Sequence, residues 1–119
     1  MAKIFRLKDS STIHLQKRKA ALVSNLVVPT NLVRASFVKQ YLTCGKKNCR
    51  CRRGFKHGPF HYLVQCLDSG TVGKFLLKSA AQKEEVRAAI SAHSDFYEQL
   101  EELSQINTEL LRRGESLMA

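Results

Sequence analysis

Cys44-Gly45-Lys46-Lys47-Asn48-Cys49-Arg50-Cys51-Arg52-Arg53-Gly54-Phe55-Lys56-His57, running on into Gly58-Pro59-Phe60-His61-Tyr62, is the stretch on which the fold turns. Three cysteines fall within eight residues, a histidine follows six later, and every charge between them is positive. Zinc takes four soft or borderline ligands in a tetrahedron, and thiolates and imidazoles supply them. Cys49 and Cys51 can share one ion if the chain turns tightly between them, and Cys44 can join them from the preceding segment. His57, brought round by Gly54 and positioned by Gly58-Pro59, is the best fourth ligand; His61 and Cys66 are its alternatives. The expectation is one structural Zn2+ per chain, held in a loop over residues 44–61. Cys66 otherwise reads as an ordinary buried cysteine, and His14 and His93 as structural or exposed.

Working outward, Asn31 to Thr43 alternates as an extended strand that delivers its last residue to Cys44, with Val33, Ala35, Phe37 and Tyr41 on one side. After the loop, Phe60 to Leu67 reads as a second strand with Phe60, Tyr62, Val64 and Cys66 on one face and His61 on the other. Asp68-Ser69-Gly70 supplies a tight turn. Thr71 to Lys78 pairs back as the third strand, offering Val72, Phe75 and Leu77 to the core, with a bulge or close packing at Gly73.

Helices flank this sheet. Ser10-Ser11-Thr12 offers N-caps for a helix from about Ile13 to Val27, with Leu15, Leu22 and Leu26 on one face, the Arg18 stem between them, and Pro29 beyond its end. Residues 1–9 are a basic lead-in, either an edge strand through Ile4 to Leu7 or an arm. Ser79-Ala-Ala-Gln82 is a capping box that opens a long helix over residues 79–113, stopped by Gly114. Such a helix either breaks near Ser91 to Ser94 or extends beyond the domain. Its second half spaces Phe96, Leu100, Leu103, Asn107 and Leu110 by alternating fours and threes, with a polar residue at a core position as in register-setting parallel dimers. Two uses fit that stripe: a homodimer seam, or packing on the helix of residues 13–27.

The 119 residues allow one domain with a thin core, to which a metal or a second subunit would add stability. Apolar residues at 44% and charged ones at 25% describe a globular chain. No stretch approaches the roughly 20 apolar residues needed to cross a bilayer, and the amino terminus is too charged for a secretory signal. A cytoplasmic protein is expected, where clustered thiols more often hold metal than disulfides. The net charge of +10 is unevenly placed, since no acid occurs from Ser10 to Leu67. Ordinary solvated faces mix signs, so this half is the candidate polyanion-binding surface.

The cysteine loop closing in His57-Gly58-Pro59, then an aromatic strand, a glycine hairpin and a long helix, resembles a widespread family of small, uncharacterised bacterial and archaeal proteins. The resemblance spans roughly residues 30–113. It implies Cys44, Cys49, Cys51 and His57 as the ligands and Gly45, Gly54, Gly58 and Pro59 as shaping residues. Ala35-Ser36-Phe37 stands where members often have Gly-Ser-Leu, and His61 where they often have an aromatic. The family brings no established function.

The fold class expected is α+β: an N-terminal helix, a three-stranded antiparallel sheet with a zinc loop, and a long C-terminal helix. Four chain ligands and the missing acids argue for a structural metal and against an enzyme. The function expected is binding of DNA or RNA, with Lys46, Lys47, Arg50, Arg52, Arg53 and Lys56 on phosphates, Arg34 and Lys39 extending the surface, and Phe55, Phe60 or Tyr62 stacking on an unpaired base. The alternative is a dimeric adaptor docking through its long helix on a larger nucleic-acid-processing protein.

Overall fold

The computed structural model describes residues 3–118. Helix α1 (Thr12–Asn25) is followed by strands β1 (Ser36–Leu42), β2 (His57–Asp68) and β3 (Thr71–Leu77), and then by helix α2 (Ala80–Arg112). The sheet is antiparallel in the order β1-β2-β3. This is the α+β arrangement expected. Among the described residues, no helix is long and apolar enough to cross a membrane.

Two compact units divide the chain: one holds the residues up to Thr30 and those from His93 on, the other Asn31–Ala92. In the first, the Ser11 hydroxyl accepts from the His14 amide at 3.1 Å and starts α1, while Leu26 serves as its C-cap, so the helix ends before Pro29 acts. Leu15 and Leu22 pack with Ile106 and Leu110, and Leu7, Leu103 and Leu117 close round them. Arg18 forks onto the Glu102 carboxylate at 2.6 and 2.9 Å. The lead-in is no strand. Instead the Gln105 amide mimics a ladder partner, accepting from the Phe5 amide at 2.9 Å and donating to the Lys3 carbonyl at 2.6 Å.

The second unit is the sheet with the first three turns of α2. The Ser79 hydroxyl accepts from the Gln82 amide at 3.0 Å, and Gln82 reaches back to the Lys78 amide at 2.9 Å, which opens α2 as a capping box does. The helix is unbroken past Ser91 to Ser94. It stops at Gly114, whose φ of 84° lets its own amide and that of Glu115 return to the Leu111 and Leu110 carbonyls, each at 2.9 Å.

β1 begins at Ser36, later than expected. Upstream of it the Gln65 side chain donates to the Arg34 carbonyl and the Arg34 guanidinium to the Cys66 carbonyl, so side chains stand in for the ladder. Val33 instead donates its amide to the Ala89 carbonyl of α2 at 3.2 Å.

Pairing sets Phe37 opposite Leu63 and Leu63 opposite Phe75. That face packs Leu63 and Leu77 against Val86, with Val33, Ala35, Phe37 and Ile90 around them. Strand parity then places Phe60, Tyr62, Val64, Cys66 and Val72 on the face of the sheet away from Val86 and Ile90. Three expectations are corrected here: Cys66 is exposed rather than buried, Val72, 58% exposed, is not in the core, and Phe75, though on the α2-facing side, is 49% exposed and stays outside it. The ladder irregularity falls between Cys66 and Asp68 rather than at Gly73. Gly73 is closely packed, since a Cβ there would sit 3.3 Å from Leu67 Cδ1.

Candidate metal centre and its basic loop

β1 ends at Leu42 and Cys44 follows two residues later, while β2 opens with His57 itself. The two ends of the loop are therefore held side by side by the sheet, with Leu42 opposite His57. Gly58 is required for this closure. Its φ is 132°, and a Cβ there would lie 2.9 Å from the Gln40 carbonyl of β1. Between the ends, a single 3-10 turn over Arg50–Arg53 carries Cys51 inward, and Gly54, at φ 96°, reverses the chain.

This geometry gathers four donors. Cys44, Cys49 and Cys51 Sγ and a His57 ring nitrogen all lie within 4.8 Å of one another. Cys44 and Cys51 Sγ are 3.6 Å apart, and Cys49 Sγ is 3.1 Å from His57 Nε2. A tetrahedral zinc thiolate has an S–S edge of about 3.8 Å, from Zn–S bonds near 2.3 Å, so the set fits such an ion with little adjustment. The alternatives for the fourth position are not drawn in. His61 points to the helix-covered face, its ring 5.3 Å from Phe37, and Cys66 is far along β2.

The cluster is built to carry negative charge. The Cys44 amide donates to Cys51 Sγ at 3.3 Å. The Cys49 thiol is lowered to about 6, first by the Cys51 amide and then by hydrogen bonds from the Cys44 and Cys51 thiols. Cys44 moves the other way: the Lys46 amide favours its thiolate, but hydrogen bonding with Cys49, burial and Cys51 raise it overall. Cys49 thus ionises readily while Cys44 holds its proton, which ligation of a cation would release.

Around the cluster, Lys46, Lys47, Arg50, Arg52, Arg53 and Lys56 are all exposed. Among the described residues none of the six is in an ion pair. Arg50 lies over the Phe55 ring at 5.1 Å. Lys39 sits above Tyr41 at 5.7 Å, on the sheet face opposite that of Tyr62, and Arg34 is committed to the Cys66 carbonyl at 2.6 Å. Both are exposed, and among the described residues neither is in an ion pair. The unit Asn31–Ala92 holds twelve Lys and Arg against three acids, whereas the rest of the chain holds eight against seven, so the net charge of the protein lies almost wholly with the unit that carries the four-donor cluster.

The stripe on the second half of α2 is only partly available. Leu103 and Leu110 are taken up by α1, the second of the two uses foreseen for them, and Leu110 is 2% exposed. Ile106, fully buried, completes that contact and was missed as a core position. Leu100 is exposed, and Phe96 and Asn107 are half-buried, with Asn107 Oδ1 buried and unpartnered.

The profile of a domain of unknown function (DUF6788) matches residues 13–88. The chain belongs to this family. The DUF6788 match takes in nearly all of α1, the whole sheet and all four cluster residues, and it stops inside α2, before Leu103. It starts earlier and ends earlier than the resemblance read from the loop. No curated protein and no solved structure matches the chain.

Proposed function

We propose that the Cys44, Cys49, Cys51 and His57 cluster binds one structural Zn2+ per chain and that the loop it holds binds nucleic acid. The observation that carries this reading is the conjunction in one short loop of a four-donor set with six exposed cations that have no acidic partner among the described residues. Bound zinc would cross-link the end of β1, the 3-10 turn and the start of β2, adding order to a loop that otherwise relies on a few backbone bonds. The cationic side chains would then project from a fixed base, which lowers the ordering cost of gripping phosphates.

A structural rather than catalytic metal is supported by the four donors from the chain itself and by the absence of any acid between Ser10 and Leu67 to manage protons. The adaptor reading has less support, because two leucines it relied on pack against α1 within the chain. A homodimer would keep Leu100 and Phe96 of the expected seam.

The test is a titration of zinc-supplied protein against labelled DNA and RNA, single- and double-stranded, at several salt concentrations, with metal content measured on the same preparation. Tight binding that weakens steeply with salt is expected. Zinc at one per chain with no nucleic-acid binding at low salt would reject the loop as a phosphate surface.

A further inference from the structure

Strand β2 turns its more aromatic side away from α2. Along β2 the parity Phe60-Tyr62-Val64-Cys66 is the more apolar of the two, yet the parity His61-Leu63-Gln65 faces α2. The outward face is extended by Val38 of β1, opposite Tyr62, and by Leu76 of β3 on the other side. Leu76 is 38% exposed. Phe60 and Tyr62 are half-buried there and lie outside the core that α2 builds with Leu63 and Leu77, so their rings are available for another use.

Three observations indicate what fits there. The face is continuous with the basic loop, because Leu42, Thr43, Cys44, His57 and Phe60 line one shallow groove that joins the cluster to the sheet. Its polar groups suit a nucleotide: the Lys74 ammonium lies 4.2 Å from the centroid of the Tyr62 ring and donates to Gln40 Oε1 at 2.9 Å, and the strand positions between the hairpin and the loop on this face include no acid. Finally, two copies of a unit with twelve cations against three acids would repel one another if they stacked sheet to sheet.

We infer that this face is a stacking platform for unpaired bases, with Phe60 and Tyr62 as its rings, so that the protein takes single-stranded rather than duplex nucleic acid. The inference rests on the proposed phosphate-binding loop and adds the strandedness and a second contact surface. The backbone of the strand lies along the loop cations and its bases cross the groove onto β2. Lys74, on a flexible stem, leaves the Tyr62 ring to the incoming base and keeps its hydrogen bond to Gln40. Base–aromatic stacking tolerates any sequence, because every base has a π face.

Two measurements test it on the zinc-supplied full chain. In the first, homopolymeric single-stranded DNA, single-stranded RNA and a duplex of the same length are titrated against wild type, Phe60→Leu and Tyr62→Leu. Each leucine keeps apolar bulk on the face, and each is expected to weaken single-strand binding by roughly 5- to 100-fold while leaving duplex binding unchanged. In the second, alkylation of Cys66 in the wild-type protein is followed by mass spectrometry with and without single strand. Protection of Cys66 is expected, and this arm needs no variant to fold.

Equal affinity for single strand and duplex, with Tyr62→Leu unchanged, overturns the platform while leaving the loop reading intact. Cys66 labelling that is indifferent to saturating single strand does the same. Absence of binding to any of the nucleic acids overturns both readings.

Discussion

The salt dependence of nucleic-acid binding can be worked from the loop. Six cations, Lys46, Lys47, Arg50, Arg52, Arg53 and Lys56, are exposed and free of ion pairs among the described residues. Neutralising a phosphate of a single strand releases about 0.7 of a counterion, so six contacts give a slope of log K against log salt of about −4. Between about 50 and 200 mM salt the affinity then falls by roughly 300-fold. Replacing Arg52 and Arg53 together by glutamine removes two contacts and brings the slope to about −3. Lys17→Gln, a change on α1, leaves it where it was. The assay is fluorescence anisotropy of a labelled oligonucleotide over that salt range, with circular dichroism to show that the variants fold. A slope unaltered by the double replacement, or altered as much by Lys17→Gln, would refute the assignment of phosphate contacts to the loop.

Other expectations concern the metal and the helices. Cys51→Ser, at the most buried ligand, or treatment of the wild type with a chelator, should raise amide hydrogen exchange over residues 44–57 while α1 stays protected; uniform exchange before and after would count against metal ordering of the loop. Ile106→Ala should cost about 2–5 kcal/mol as a buried truncation, and Leu100→Ala within about 0.5 kcal/mol as a surface change; urea melts decide, and the opposite ranking would place the seam of α2 elsewhere. Glu109 is held down to about 2 from an ordinary 4.5, first by its hydrogen bond from Arg112 and also by the charges of Arg112 and Arg113. A carboxylate with a depressed folded-state pKa contributes stability that is present above the unfolded value and lost as pH falls through the folded one. Thermal melts should therefore show wild type losing more stability than Glu109→Gln between about pH 4.5 and 2, and parallel losses would show that the pair contributes nothing.

Much of this molecule was legible in its sequence because the decisive signals were local. The capping serines, the Gly114 stop, the Asp68-Ser69-Gly70 turn and the cysteine spacing each act within a few residues, so the element types and the four-donor cluster follow from short stretches. Two matters depended on contacts between distant segments and were not legible. Both faces of β2 alternate with apolar residues, and the choice between them was made by Val86 and Ile90 of α2 meeting Phe37, Leu63 and Leu77; Cys66 and Val72 were assigned to the core for that reason. Likewise, stripes through Leu103 and Leu110 can be completed by Asn107 or by Ile106. The aliphatic side chain is the one α1 buries, and only the position of Leu15 and Leu22 decides it.

The most direct measurement is native mass spectrometry of the protein mixed with zinc and a single strand of about ten nucleotides, run on wild type and on Cys49→Ser. The central claim, that a metal-ordered loop is what grips nucleic acid, predicts one dominant complex of chain, one zinc and one strand for the wild type, and loss of zinc together with most of the strand for the variant. Full strand binding by a metal-free variant, or a zinc-loaded wild type that takes no strand, would contradict it.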